Sequence, residues 1–347
     1  MATTRESLKR PQSRRGDAAS GTPSETDIRR IVACLDGSEL GERVTPHAVA
    51  VAAALGAPLT LLRVLEGRPA GDAPPDPLEW DIRRREAREY VERFAQERSG
   101  EDGPVDAEIV EGQAAEQICL WVQHHEVDLT VLCTHGMSGK TEWSLASTAR
   151  KLIDRVPGSL LLVPATTPVT RVAHYGRLLV PVDGSPRAES VLPLATRLAV
   201  AHGAELILAH VVPVPEMTEI GPLDAEDLEL RERLVRRNER VAREYLDRLR
   251  ARLAESGLSL RALVIRGGDV TSRLARLITD EAVDLVVLSS HGRRSSSEVP
   301  CGSVAAYLIT HAETPLLIVR QRPASPMQRA SAARERNRVR LPSQATP

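Results

Sequence analysis

The sequence predicts two doubly wound, parallel-sheet α/β domains joined in tandem, and three observations lead there. The chain repeats itself once at long range. Its apolar segments alternate between short continuous runs and longer amphipathic stretches. Its 347 residues are about twice the ~150 of a common domain. The repeat decides the matter. Ile31-Val-Ala-Cys-Leu-Asp36-Gly37-Ser38 returns as Leu178-Leu-Val-Pro-Val-Asp183-Gly184-Ser185 at an offset of 147, which also carries Pro46 and Gly56 onto Pro193 and Gly203. Asp128-Leu-Thr-Val-Leu-Cys-Thr-His135-Gly136 returns as Asp284-Leu-Val-Val-Leu-Ser-Ser-His291-Gly292 at an offset of 156, as Ser147 does at Ser303. The nine extra residues fall between Val211 and Gly268, where the second copy needs a longer loop and helix.

In order along the first copy, Ile31–Leu35, Leu59–Leu65, Asp128–Cys133 and Ser159–Pro164 are short apolar runs bounded by turn residues. Such runs suit strands buried on both faces of a parallel sheet. Between the second and later strands, Asp76-Pro77-Leu-Glu79 reads as an N-cap, a first-turn proline and a capping-box acid. The helix it opens would turn Ile82, Ala87, Tyr90, Val91 and Phe94 to the core. In the second copy the corresponding helix runs from Asp224 to Ser256, with Leu230, Leu234, Val241, Tyr245, Leu249 and Leu253 as its apolar stripe. Its Arg/Glu-rich opposite face reads as solvated, with i,i+4 pairs. Five β/α units per copy give right-handed crossovers and a sheet covered on both sides. The predicted division is a basic tail at 1–27, domains at 28–165 and 177–320 with a linker at 166–176, and an Arg-rich tail at 321–347.

Composition bounds the function. The net charge of −1 hides two basic ends and an acidic body. Residues 1–30 hold seven Lys/Arg against four Asp/Glu, and residues 320–347 seven Arg against one Glu. Both tails are poor in apolar periodicity and are expected to be disordered. The cluster Arg334, Arg336, Arg338 and Arg340 is either a solvated tail or a weak contact for nucleic acid. Three Trp, four Tyr and one Phe are too few for an aromatic base-stacking platform. No apolar run approaches a membrane span, and the charged N-terminus lacks a signal core, so a cytoplasmic protein without a membrane partner is expected. Cys34, Cys119, Cys133 and Cys301 have no CxxC spacing, which speaks for reduced thiols rather than a disulfide framework or zinc site. Cys34 and Cys119 read as core residues, and the adjacent His124 and His125 point too far apart on a helix to share an ion.

In doubly wound folds ligands sit beyond the carboxyl ends of strands, where strand order reverses. Two turns in each copy meet that description. One is Asp-Gly-Ser after the first strand; the other is His-Gly after the fourth. In the second copy the latter reads Ser289-Ser-His291-Gly292, then nine residues, then Gly302-Ser303 and an apolar helix. A glycine closing the strand permits positive φ and close backbone approach. The helix start offers unpaired N–H groups, a hydroxyl and a dipole that favours an anion. Phosphate binding fits that arrangement, and so does a plain turn followed by a cap.

These repeated turns resemble the universal stress protein family over about residues 28–165 and 175–320. The resemblance implies two flavodoxin-like, Rossmann-like domains that pair within the chain, or between chains as a homodimer. It also implies binding of ATP or another adenine nucleotide, with Mg2+ as a companion ion. The family's phosphate motif is Gly-x-x-Gly, nine residues, then Gly-Ser/Thr. Gly292, Gly302 and Ser303 match it, with Ser289 at the first glycine position. In the first copy Gly136 and Ser147 match, while Cys133 and Ala146 stand at two glycine positions. The Cβ of Ala146 would meet phosphate there, which predicts that the second copy carries the working site. Asp36 and Asp183 match the family's aspartate near adenine and ribose, and Val64 and Val211 match a valine following the second strand. His135 and His291 would lock the turn or line the pocket.

The implied role is a non-catalytic stress-response regulator, or at most a slow ATPase. Nucleotide would order the loop at 292–302 and change a surface read by a protein partner. A nucleotide-independent scaffold with degenerate sites is the alternative. Two enzymatic patterns fare worse. Gly136-Met-Ser-Gly139-Lys140-Thr141 ends as a P-loop does, yet Thr134 stands at its leading glycine. Asp183, His291 and Ser303 (with Asp36, His135 and Ser147) could form a hydrolase triad, but no Gly-x-Ser-x-Gly elbow accompanies them.

Overall fold

The computed structural model describes residues 28–67, 76–100, 103–134, 148–168, 170–216, 223–292 and 301–320. The tails, His135, Gly136, Ala146, Ser147, the P-loop-like segment and residues 293–300 of the loop at 292–302 lie outside them.

The first half runs β1 (Ile31–Leu35), α1 (Glu39–Glu42), α2 (Val44–Leu55), β2 (Leu59–Leu65), α3 (Pro77–Arg98), β3 (Val105–Glu111), α4 (Ala114–His124), β4 (Leu129–Cys133), α5 (Thr148–Arg155) and β5 (Ser159–Val163). The second runs β6 (Arg177–Pro181), α6 (Pro186–Glu189), α7 (Leu192–His202), β7 (Glu205–Val212), α8 (Ala225–Leu253), β8 (Leu260–Arg266), α9 (Val270–Asp280), β9 (Leu285–Ser289), α10 (Ser303–His311) and β10 (Leu316–Val319). All strands join one sheet in the order β3-β2-β1-β4-β5-β10-β9-β6-β7-β8. Each half is parallel throughout and has the same internal order. The halves meet where β10 lies antiparallel to β5, pairing Leu317 with Leu161.

The inner strands are buried on both faces, as their continuous apolar runs require. Alternate residues of β5 show this directly: Leu161 and Val163 join the core on one side of the sheet, Leu160 and Leu162 the core on the other. Edge strand β3 instead alternates exposed with half-buried residues. The matched glycines Gly56 and Gly203 end α2 and α7 in the left-handed region, at φ 60° and 62°, where a Cβ is unwelcome. A second repeated device fixes the strand entries. The Asp128 carboxylate accepts from the N–H groups of Arg29 and Arg30, and Asp284 does the same for Gly176 and Arg177.

Three helical details differ from the sequence expectation. Asp76 caps α3 through the N–H of Leu78, not that of Glu79, so the cap is a simple turn rather than a reciprocal box. Ile82 is 49% exposed, and Ala87, Val91, Phe94 and Ala95 carry the buried face. In α8 the buried stripe is Val235, Ala242, Leu246 and Leu249, while Leu230 and Val241 face solvent. Leu249 is buried as expected, and Tyr245 and Leu253 are half-buried against the core, but Val235, Ala242 and Leu246 each lie one residue beyond the expected Leu234, Val241 and Tyr245 as the helix packs on β7 and β8. Its N-terminus has a reciprocal capping box between Asp224 and Asp227, and Glu232–Arg236 and Glu239–Arg243 are the expected i,i+4 pairs.

The two halves are also bound by side chains. Arg320 donates to the carbonyls of Val156 and Ile153 at the end of α5 and Arg197 to that of Leu55, while Arg43 ties the first half to the linker at the carbonyl of Thr167. His47 of α2 shares a buried 2.9 Å hydrogen bond with the hydroxyl of Tyr175.

Candidate functional site

In the second half β6 pairs with β7 on one side and β9 on the other. The chain therefore crosses from one face of the sheet to the other at the carboxyl end of β6, where a ligand crevice is expected. Asp183 stands two residues beyond that end, after Val182. Its Oδ1 accepts from the N–H of Ser185 at 2.9 Å, and the Ser185 hydroxyl caps α6 through the N–H of Ala188. Asp36 and Ser38 repeat both contacts in the first half. One carboxylate oxygen of Asp183 is thus committed to its own turn.

The other faces Gly292. An ideal Cβ on Gly292 would lie 2.7 Å from Asp183 Oδ2, closer than any side chain can sit. Gly292 is not in the left-handed region, so the positive φ expected of it is absent. A larger residue there would have to push the Asp183 carboxylate aside.

The turn that presents Gly292 is tied down by its serines. The Ser289 hydroxyl donates to the His291 carbonyl at 2.6 Å, and the hydroxyl of Ser290, itself buried, lies 2.9 Å from His291 Nδ1. The N–H of Gly302 donates to the Ser290 carbonyl at 2.7 Å, which draws the start of α10 against the end of β9. Gly302 is the N-cap of α10 and provides no side-chain acceptor; the first turn has no acidic residue. The first N–H groups of the helix, beginning at Ser303, have no partner inside the helix, and the dipole adds positive potential at that end.

Asp183, Gly292, Gly302 and Ser303 are therefore gathered at one end of the sheet, with Ser289 and His291 shaping the turn. Val211 is buried in β7, and Val64 half-buried in β2. Both stand within their strands, not after them, because the edge strands continue to pair as far as Glu111 and Arg266.

Three further residues per half adjoin this region; the sequence marked the tyrosines only as core residues of their helices and did not single out the other two. The Tyr245 hydroxyl donates to Glu189 at 3.1 Å, and the His210 ring packs 6.2 Å from that of Tyr245. Burial, then the Glu189 charge, push the Tyr245 hydroxyl's pKa up, so it stays protonated. In the first half Tyr90 donates to Glu42 at 2.9 Å, with Arg63 at the position of His210. The shared offset of 147 for Glu42/Glu189 and Arg63/His210 was the available signal. Elsewhere, Cys34 is held as an inert thiol, its pKa pushed up to about 12 by burial. His125 stacks on Trp121 at 4.0 Å.

Comparison with known proteins bears on the whole chain. A sequence model described as the universal stress protein family matches residues 27–164 and 174–320. A universal stress protein of Mycobacterium tuberculosis is 26% identical over 305 residues, covering 84% of this chain and 97% of that protein. The crystal structure of a universal stress protein from Archaeoglobus fulgidus superposes with a TM-score of 0.60 at 15% identity, covering 87% of this chain and 99% of that one. One from Pseudomonas aeruginosa gives 0.56 at 16% identity, covering 85% of this chain and 94% of that one.

Proposed function

This chain belongs to the universal stress protein family, and from that premise we propose that it binds an adenine nucleotide reversibly in its second half and works as a stress-response regulator without catalysing a reaction of its own. The observation that carries the reading is the approach of Gly292 to Asp183. It brings backbone without a Cβ up to a carboxylate oxygen of Asp183, and among the described residues no side chain caps the start of α10. Asp183 would accept from base or ribose hydroxyl and amine groups. The N–H groups of Gly292 and the first turn of α10, with the Ser303 hydroxyl, would hold phosphate oxygens. Val211 would offer apolar contact to the base, and His291 with Ser289 would fix the turn. The ligand would be ATP or another adenine nucleotide, with Mg2+ as the companion ion that membership of the family suggests. Binding at the end of β9 and the start of α10 would change a surface there that a protein partner reads, by shifting the population of a state already present.

Titration of the purified chain with magnesium-ATP tests this. Binding is expected in the wild-type chain and loss of at least tenfold in affinity in Gly292→Val, whose side chain must push Asp183 aside. Undiminished binding in that variant, with the fold intact, overturns the reading. Absence of binding at millimolar nucleotide favours the scaffold. Phosphate release above that of a Ser303→Ala control would add a slow ATPase.

A further inference from the structure

Three histidines gather around one tyrosine at the joint between the halves. His47 comes from α2 of the first half and His202 from the end of α7 in the second. His174 and Tyr175 belong to the segment that enters β6. The two helices pack against each other across the joint. The rings form a file from solvent to core: His174 is exposed, His202 half-buried, and Tyr175 and His47 buried. Their centres lie 5.6, 4.9 and 5.8 Å apart along the file. At its inner end His47 Nδ1 and the Tyr175 hydroxyl share their 2.9 Å hydrogen bond.

The joint suits neutral rings. Burial holds His47 against protonation. Burial and the neighbouring His174 do the same for His202, and they outweigh its bond to the Ala50 backbone. Nε2 of His202 is buried with no hydrogen-bond partner among the described residues. No carboxylate is bonded to any of the three rings among those residues. Asp284 bears on the cluster only through Tyr175, whose hydroxyl is pushed up by burial and then by that charge. The Oδ2 of Asp284 is already held by the N–H groups of Gly176 and Arg177. Of the other carboxylates on elements packed against α2 and α7, Glu42 of α1 is bonded to Tyr90 and Glu205 of β7 is paired with Arg177 and Arg261. Glu39 of α1 is exposed. Arg43 and Arg197, which reach across the joint, are cations. The strands behind add Cys34, Arg63, Cys133, Arg177 and His210, thiols and further bases.

A proton on His47 or His202 would therefore be a buried charge without a counter-ion. The hydrogen bonds could not absorb it either. An imidazolium donates from both nitrogens, so Nδ1 of His47 would face a hydroxyl that still has its own hydrogen to place. Parting α2 from α7 relieves both faults by admitting water. The open joint binds more protons, so acid favours it. With His47 at about 4 when closed and near 6.5 in water, the ratio of open to closed joints rises about thirtyfold from pH 7.5 to pH 5. The β5–β10 pairing and the bonds of Arg320 to α5 involve no histidine or carboxylate, so the same acid leaves them alone.

We infer that this joint is an acid-operated hinge, in which α2 and α7 part and the segment 173–176 is released as pH falls from 7.5 to 5, while the ten-stranded sheet stays whole. The hinge is independent of the nucleotide reading.

Hydrogen exchange of the full chain, followed by mass spectrometry at pH 7.5 and pH 5 and corrected for intrinsic rates, tests this. Amides of α2, α7 and 173–176 are expected to open about thirtyfold more at pH 5, with β4, β5, β9 and β10 still clearly better protected. Helices and strands brought to one common opening constant would mean global unfolding and overturn the inference. So would an α2 and α7 as protected at pH 5 as at pH 7.5. The double variant His47→Gln/His202→Gln, with its fold checked by circular dichroism at pH 7.5, is expected to cut the acid effect to under about threefold. A full effect in that variant overturns the assignment to these rings. If the variant does not fold, the contrast between helices and strands in the wild-type chain decides.

Discussion

His47 shows how a single side chain ties the halves together. It is 6% exposed, it shares a hydrogen bond with Tyr175, and burial lowers its pKa to about 4. In the unfolded chain the same imidazole takes a proton near pH 6.5. Between those values the unfolded state binds more protons, so stability is full above about pH 6.5 and falls as pH drops toward 4. The difference is worth about 3 kcal/mol. Melting temperature measured from pH 7 to pH 4 should therefore fall more steeply for the wild-type chain than for His47→Gln; equal slopes would refute the assignment. Residues of this kind were hard to read in advance. Asp183 and Gly292 stood out because turn residues recur at matched offsets, though Gly292 is needed for space and not for φ. His47 was invisible. In a helix, sequence gives the face that packs but not which distant side chain meets it.

At the scale of elements, helix existence was legible and helix rotation was not. In α8, Leu230, Leu234, Val241, Tyr245, Leu249 and Leu253 keep helical spacing, and so do Val235, Ala242, Leu246 and the shared Leu249. Two adjacent stripes both carry apolar residues, and only the packing of α8 on β7 and β8 chooses between them. Truncation separates the two. Leu246→Ala, at a 1% exposed position, should cost about 2–5 kcal/mol in denaturant unfolding, whereas Leu230→Ala, 41% exposed, should cost under about 0.5 kcal/mol. Comparable losses would put the buried stripe elsewhere. The same helix opens on the capping box of Asp224, and Asp224→Ala should cost about 1 kcal/mol, read from the same unfolding curves.

For the whole molecule, the tandem α/β architecture followed from the repeat and from strands that read as continuous apolar runs. How the copies join did not. Nothing in matched offsets says that β5 and β10 will meet edge to edge, since that contact is unique rather than repeated. Its consequence is cooperativity. The core on one side of the sheet draws on both halves without interruption, and Arg320 and His47 cross between them. All three tryptophans, Trp80, Trp121 and Trp143, belong to the first half, so their fluorescence reports that half alone while far-ultraviolet circular dichroism reports both. The two signals should trace one coincident denaturant transition. Separated midpoints would mean that the halves unfold independently.

The central claim is that one half of this chain holds an adenine nucleotide, and the most direct measurement needs no added ligand. The protein is purified without nucleotide and denatured, and the released adenine nucleotide is quantified by chromatography beside Gly292→Val prepared in the same way. The account predicts about one nucleotide per wild-type chain and essentially none from the variant. Equal amounts from both proteins would contradict it.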